Sequence, residues 1–475
     1  MNVCFLARPS FDRYSVELFE QLKKHDANVD AYFVTTNKKE SDYVKAKVES
    51  AKTFETATFI RENWDNFNVD MLAEYEKKYD CAPVWKYIYA DRYLITRDHD
   101  YVVKITVGLF SFFENLFSNN KIDFYYSEVI ATLQCYVAYI VGKKHGVTYI
   151  SQMTARGNLD STYHYFTCDE FEHDINLEKD YLNVNYSPEE MVFADKFLTD
   201  FESNYNAPQN MSFVTTKPKL KFSYLKLVAA RIIKRFDKNL NDPCSYMYYK
   251  EYKTYTDPIK FYFNYRKVRK CYKKPDYNAK YVYFPLHYQP EASTIVCAQK
   301  YEKQLFFIDS WAKSLPADTL LYVKEHYALI GHRDPQFYEE LKKYPNVVLI
   351  DPWSPSKKLI EHSVAVTTLT GTAGWEAMLL RKPVFLGGNI VFDTAPGIIK
   401  VNEIFDNYLP LLSKWQKPER EDLLKYLCAC FRSYKKGNVY AQNVHSLIDD
   451  NIQAIGQSLY EQLKIIINNK GDKNE

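Results

Sequence analysis

The sequence predicts an α/β protein of two Rossmann-like lobes, joined by a largely helical basic insertion and finished by C-terminal helices. Three observations carry that prediction. Strand-length apolar runs alternate with helix-period segments from the N-terminus to about residue 150, the pattern of a parallel sheet covered by helices. The alternation stops over about 160–277, where Tyr, Lys and Asn crowd the chain and glycine is scarce. It resumes at Tyr281 with stronger strand and helix signals. A length of 475 residues suits two or three domains, and 46% hydrophobic with 26% charged content excludes a disordered chain.

The first lobe is assigned to 1–160. Residues 3–7 read as a buried strand, followed by a polar turn and a helix with Val16, Leu18, Phe19 and Leu22 on its apolar face. Strands at 29–34, 122–126 and 147–150 and an apolar helix at 131–144 continue the series. The insertion, 161–280, holds one clear helical stretch at 222–236. There Leu225, Val228, Ala229, Ile232, Ile233 and Phe236 alternate with Lys226, Arg231, Lys234 and Arg235. Such a basic amphipathic helix either packs on its own domain or lies on an anionic membrane. The second lobe, 281–415, has strands at 281–284, 320–324, 347–350, 364–367 and 384–386. Helices lie between them at 299–315, 335–343, 355–362 and 374–380. The helical remainder, 416–475, is expected to pack back on the first lobe.

The net charge of +2 hides an asymmetry. Residues 217–274 hold seventeen Lys or Arg against four acids, a balance of +13, which leaves −11 for the rest. A basic segment in an otherwise acidic protein points to an anionic partner such as a membrane surface, and nucleic acid is not expected. Nine cysteines, an odd number without a disulfide-like spacing, fit a reducing compartment. Arg8 interrupts the first apolar run too early for a secretory signal, and no stretch reaches membrane-span length. A cytoplasmic protein, peripheral on the inner face of the plasma membrane, is the expectation.

Ligands of open parallel sheets bind beyond the carboxyl ends of the strands. In the second lobe those ends carry Pro285-Leu-His-Tyr-Gln-Pro-Glu-Ala-Ser293, then Glu325-His326-Tyr327, then Thr368-Leu-Thr-Gly-Thr-Ala-Gly-Trp-Glu376. In the last of these, Thr370, Gly371, Thr372, Ala373 and Gly374 open a helix. Small residues let a phosphate approach first-turn N–H groups that also sit at the positive end of the helix dipole. The same residues read equally as an N-cap with tight strand–helix packing. Glu376, one turn in, is placed to bond ribose hydroxyls. Lys324, Glu325 and His326 sit at a strand end, where a Lys and a His can neutralise a phosphate leaving group. Gln289 stands beside Glu291, a carboxylate suited to nucleophile or base, or to a helix N-terminal acid. In the first lobe Ser127 and Glu128 follow one strand and Arg156 follows another. Glu128 suits a base for an acceptor hydroxyl, or a helix cap. Asp98-His-Asp100 matches a metal-binding D-x-D pattern but enters a helix with no strand before it, so it reads as a cap. His326 and His332 are poorly spaced for a metal, and none is expected.

These residues resemble the bacterial capsule polysaccharide biosynthesis proteins, which include retaining transferases of 3-deoxy-manno-octulosonic acid (Kdo) from its CMP-activated form. The resemblance rests on Phe284-Pro-Leu-His-Tyr-Gln-Pro-Glu291, Val323-Lys-Glu-His326, and Thr368-Leu-Thr-Gly-Thr-Ala-Gly-Trp-Glu-Ala377 with Lys382-Pro-Val384. It covers about 281–388, is weaker around Tyr126-Ser-Glu128 and Arg156, and is absent from 160–277. It implies a metal-independent, two-lobed glycosyltransferase of the GT-B type, using no cofactor beyond its nucleotide-sugar donor, with that donor on the C-terminal lobe. It implies a phosphate-binding role for His326 and the 370–374 loop, and an acidic catalytic residue at Glu291. The partners implied are a nucleotide-sugar, CMP-linked in the Kdo case, and a glycan or lipid-linked acceptor. The family's usual Asp is Glu here, and its Lys-Glu-His-Pro is Lys-Glu-His-Tyr327. The same fold class admits a nucleotide-sugar epimerase or a polyol-phosphate transferase. A non-catalytic capsule assembly or export protein would keep the fold and bind polysaccharide.

Overall fold

The computed structural model describes residues 1–9, 11–156, 162–182, 185–204, 241–247, 257–401, 408–439 and 449–471, with isolated positions between 226 and 236. Two sheets organise the described residues. The first is built from β1 (Asn2–Ala7), β2 (Asp30–Thr35), β3 (Lys52–Glu55), β4 (Phe124–Tyr126), β5 (Thr148–Thr154) and β6 (Tyr163–Thr167). The second is built from β7 (Tyr281–Pro285), β8 (Leu320–Lys324), β9 (Val347–Ile350), β10 (Ala365–Thr368), β11 (Val384–Leu386) and β12 (Ile398–Lys400). A two-residue strand from the C-terminal segment, β13 (Lys435–Lys436), joins the first sheet at its edge.

The first sheet runs β13-β6-β5-β4-β1-β2-β3, parallel from β5 to β3 and antiparallel at β6 and β13. The second runs β12-β11-β10-β7-β8-β9 and is parallel throughout. Strands covered on both faces need apolar side chains in both directions, and β1 and β7 satisfy this with unbroken runs. In the first core Phe5 packs against Phe19, Phe33 and Tyr126. In the second, Tyr281 and Tyr322 stack at 4.0 Å across β7 and β8.

The stretch read as one insertion is shared between the lobes. β6 extends the first sheet, while α4 (Pro188–Asn204) puts Ala194, Leu198 and Phe201 into the core of the second. Arg420 fastens α4 from outside, with Asp195 at 2.8 Å and Glu202 at 2.9 Å. The helix expected at 222–236, and much of the cationic stretch 217–274, lie outside the described residues.

Among the other helices, α1 is Asp12–His25, α2 is His99–Asn119 and α3 is Leu133–Lys144. α5 is Asp257–Val268, α6 Gln304–Ser314, α7 Pro335–Leu341, α8 Ser356–His362 and α9 Thr372–Leu379. The last two are α10 (Arg420–Ser433) and α11 (Asp449–Gly471). α11 crosses back to the first lobe, where Ile452, Ile455, Leu459 and Leu463 are buried against the β1 and α1 side chains. Gly456 permits that approach, since a Cβ there would lie 2.3 Å from Cβ of Gln21. The helix expected from 374 begins earlier, at Thr372, because Gly371 occupies the N-cap position. The one expected from 299 begins at Gln304, after a 3₁₀ turn at Gln299–Tyr301. Asp98 caps α2 by accepting from the Tyr101 amide at 2.9 Å, and Asp100 faces Lys104.

Candidate functional site

Strand order reverses direction once in each sheet. In the second sheet the reversal falls between β7 and β10, in the first between β1 and β4. Loops leaving adjacent strands on opposite sides of the sheet open a crevice at such a point. The loops after β10, β7 and β8, singled out for their composition, therefore leave three neighbouring strands.

His287 joins two of these loops. Its Nε2 accepts the Thr370 amide at 3.2 Å and lies 3.0 Å from Oγ1 of Thr368, which in turn accepts the Gly371 amide at 3.1 Å. An acceptor at Nε2 assigns the proton to Nδ1. That Nδ1 is buried and has no partner among the described residues. Burial pushes the imidazole down to about 3, helped by Arg333 and His326, so it is neutral. Gly371 is required by this packing, since a Cβ would stand 2.9 Å from Oγ1 of Thr368 and 3.0 Å from Nε2 of His287. Gly374 faces Thr368 and Phe392 in the same way, with contacts of 2.8 and 3.2 Å.

This geometry corrects the composition-based reading of the loop. The Thr370 hydroxyl donates to the Ser293 carbonyl at 2.7 Å, and the Thr370, Gly371 and Gly374 amides are all bonded internally. Among the described residues, the Thr372 and Ala373 amides have no partner, and Thr372 is exposed. The anion-binding capacity of α9 is therefore narrower than the 370–374 composition implies, and sits at its first two residues.

The loop after β8 is mostly a wall. Lys324, almost fully buried, spends its ammonium on the Ser354 carbonyl and the Ser356 hydroxyl, both at 2.7 Å, and on the Tyr327 hydroxyl at 3.3 Å. Burial lowers it to about 8 against the attraction of Glu376 and Asp351, which places Glu376 beside Lys324. Glu325 accepts from Arg333 at 3.0 Å and from the Tyr338 hydroxyl at 2.6 Å, with no exposed side-chain surface. Arg333 continues to the His287 carbonyl and to Oε1 of Gln289. Gln289 also accepts from Gln304 at 2.6 Å. Lys324, Glu325 and Gln289 thus brace the loops instead of presenting groups to a ligand. His326 is different: Nδ1 accepts the Ala328 amide at 3.2 Å, and no partner is seen for Nε2 among the described residues. Burial, with Arg333 and Lys324, lowers it to about 4, so it offers a neutral donor and no positive charge.

Glu291, in the loop after β7 of the second lobe, is exposed at the N-cap position of a short turn and, among the described residues, accepts only from Ser293, at 3.0 Å. Arg156 lies over the Phe392 ring at 5.8 Å and so spans the lobes. Glu172, which was not singled out in the sequence, is buried at the same junction with a left-handed φ of 59°. Burial raises its carboxyl to about 7, with Arg156 opposing and Glu291 assisting the shift, so Glu172 lies close to both. Beside it His173 bonds Asp169 at 2.8 Å and Asp393 of the second lobe at 3.4 Å. Lys400 meets Asp393 at 3.0 Å.

At the other reversal point Arg8 grips Glu128 with two bonds, one of 2.7 Å from Nε to Oε1 and a second from Nη2 to Oε2. Glu128 is a paired carboxylate there and does not cap a helix. Ser127 turns away, buried, with Oγ 3.8 Å from Sγ of Cys135, and is not available to an acceptor. His287 and Glu172 were missed for different reasons. His287 lay inside a quoted motif, but a lone histidine carries no mark of its partners; Glu172 falls where no strand pattern was read.

No curated protein matches the chain. Among solved structures it is similar to the β-Kdo 2,7 transferase of Thermosulfurimonas dismutans KpsC, at 12% identity over 70% of this chain and 83% of that one, with a TM-score of 0.37. It is also similar to the β-Kdo 2,4 transferase of the same protein, at 12% identity over 69% and 86%, TM-score 0.39. A third is the UDP-GlcNAc 2-epimerase of Methanocaldococcus jannaschii, at 11% identity over 91% and 99%, TM-score 0.29. The model of the family described as capsule polysaccharide biosynthesis protein matches residues 241–427, a segment that holds the whole second sheet and the His287 junction.

Proposed function

We propose that this chain is a glycosyltransferase of surface, capsular polysaccharide biosynthesis, moving a sugar from a nucleotide donor to a glycan or glycolipid acceptor. The observation that carries the reading is the junction at the β7–β10 reversal. A buried neutral imidazole there fixes the loop that leads into α9, whose first two amides, at Thr372 and Ala373, have no partner among the described residues. Neutral donors in a dry crevice hold an anionic phosphate through directed hydrogen bonds, and strengthen as charge develops on the leaving oxygen. In the transfer the C1–O bond to phosphate breaks, and the nucleotide leaves with the electron pair. Glu291, exposed in the same loop after β7, stabilises or captures the electron-poor C1. The acceptor hydroxyl then bonds to C1, with cleavage of the C1–O bond to Glu291 where that carboxylate has captured it, and passes its proton to a carboxylate, for which Glu172 is poised near neutrality and Glu128 is the first-lobe alternative.

A CMP-linked sugar such as Kdo is the first donor to test. A thermal-shift screen of CMP, UDP, GDP and CDP comes first, followed by donor hydrolysis with the nucleotide that stabilises. A ligand at a hundred times its Kd adds about 2.7 kcal/mol. Stabilisation by none of the four would overturn the transferase reading, and binding without hydrolysis or transfer would leave a non-catalytic capsule protein.

A further inference from the structure

We propose that α5 and the segment after it, residues 260–274, form a docking surface for an anionic lipid bilayer. Between Asp257 and Asp276 the chain carries Lys260, Arg266, Lys267, Arg269, Lys270, Lys273 and Lys274, and no acid. All seven are exposed, and none has an ion-pair partner among the described residues. The helix has one anchored face. Phe261 stacks on His332 at 3.6 Å, Asn264 donates to the Gly331 carbonyl at 3.2 Å, and Val268 is buried. Lys260, Phe263 and Lys267, at i, i+3 and i+7, are therefore left on the outer side.

The neighbouring helix does not neutralise this face. Around α7, Glu339 and Glu340 are occupied by Lys342 and Lys343, and Arg333 is spent on buried Glu325, which leaves Asp334, the cap of that helix, as a single acid against seven cations. Beyond α5 the run continues along the edge of the second sheet, where Lys273 exchanges backbone bonds with Leu349 and Asp351. The aromatic residue decides between polyanions. Phe263 is 52% exposed in the middle of the cations, an arrangement that sets a ring into the acyl boundary while basic groups meet lipid phosphates. A groove for a soluble polyanion has no use for that ring at the centre of the face. Attachment by one ring and surface cations is reversible and weakens with salt.

Flotation with vesicles of phosphatidylcholine alone, and with one third phosphatidylglycerol, tests the proposal on the full chain. The protein floats with the anionic vesicles at low salt, stays in solution with the neutral ones, and is released at high salt. Lys260→Glu with Lys267→Glu lowers the bound fraction at least tenfold, and Phe263→Ala at least threefold. Unfolding midpoints and nucleotide binding stay unchanged, so a failure here is separate from a failure of the transferase reading. Lys260→Gln with Lys267→Gln repeats the test without adding acids. Failure to float with anionic vesicles, or flotation that ignores these substitutions, overturns the proposal. Equal affinity for a soluble polyanion with no effect of Phe263→Ala also overturns it, and assigns the surface to an acidic polymer.

Discussion

The backbone amide of Thr370 donates to Nε2 of His287 at 3.2 Å, and this bond ties the loop after β10 to the loop after β7. Removing the ring leaves that amide and the Thr368 hydroxyl without their acceptor in a buried place, at a cost of about 1–3 kcal/mol. His287→Ala is expected to lower the unfolding midpoint and to weaken nucleotide binding at least tenfold. His287→Phe, which fills the space without a nitrogen, should behave the same way. Normal binding by His287→Phe in calorimetry would show that the imidazole serves packing alone.

Glu325 and Arg333 form the buried brace behind the same loops, with side-chain exposures of 0% and 9%. Truncating one partner strands the other charge, which typically costs about 3–5 kcal/mol. Glu325→Ala should therefore destabilise strongly in denaturant titration, while exposed Lys280→Ala, which faces Asp318, stays within about 1 kcal/mol. Comparable losses from the two would contradict the assignment of Glu325 to the wall.

The His173 bridge sets a pH dependence. Burial works to lower this imidazole, but the hydrogen bonds and charges of Asp169 and Asp393 outweigh it and raise it to about 9. A raised folded value means stability that is full below the unfolded value, about 6.5, and lost as pH climbs through 9. Wild type should exceed His173→Gln in unfolding midpoint at pH 6, with the gap closing by pH 10. A gap independent of pH would remove the charged bridge between the lobes.

Glu172 behaves in the opposite functional sense with the same sign. Its folded value of about 7 lies above the unfolded one near 4.3, so its protonated form favours the fold and that benefit disappears as pH rises through 7. Glu172→Gln, which keeps the neutral shape, should equal wild type at pH 4 and be more stable at pH 8, yet lose turnover if the carboxylate moves the acceptor proton. Equal stability at both pH values would show that the group is not buried as a neutral acid.

Much of this arrangement is legible in the residues. Strand-length apolar runs such as 281–284 and 320–324 locate β7 and β8 because a parallel strand must be apolar on both faces. The same logic finds β10 and the glycine-rich entry to α9. It fails for β6 and β13, which pair antiparallel across 271 residues at the register His164–Lys435 and 273 at Tyr163–Lys436, distances no local pattern reports. It fails again at Lys324 and Glu325, because strand-end composition does not say whether a polar side chain faces the ligand or the next loop. Burial decided that, by placing Ser354, Ser356 and Tyr338 within reach.

The central claim is that a nucleotide sits at the β7–β10 reversal. The most direct test is calorimetric titration of the stabilising nucleotide into wild type and Gly371→Ala. A Cβ at 371 would press on Thr368 and His287 and displace the junction, yet it touches only side-chain atoms within 3.0 Å. Loss of at least tenfold in affinity, with the fold retained by circular dichroism, is the predicted result. Unchanged affinity in the folded variant would contradict the claim and move the nucleotide elsewhere.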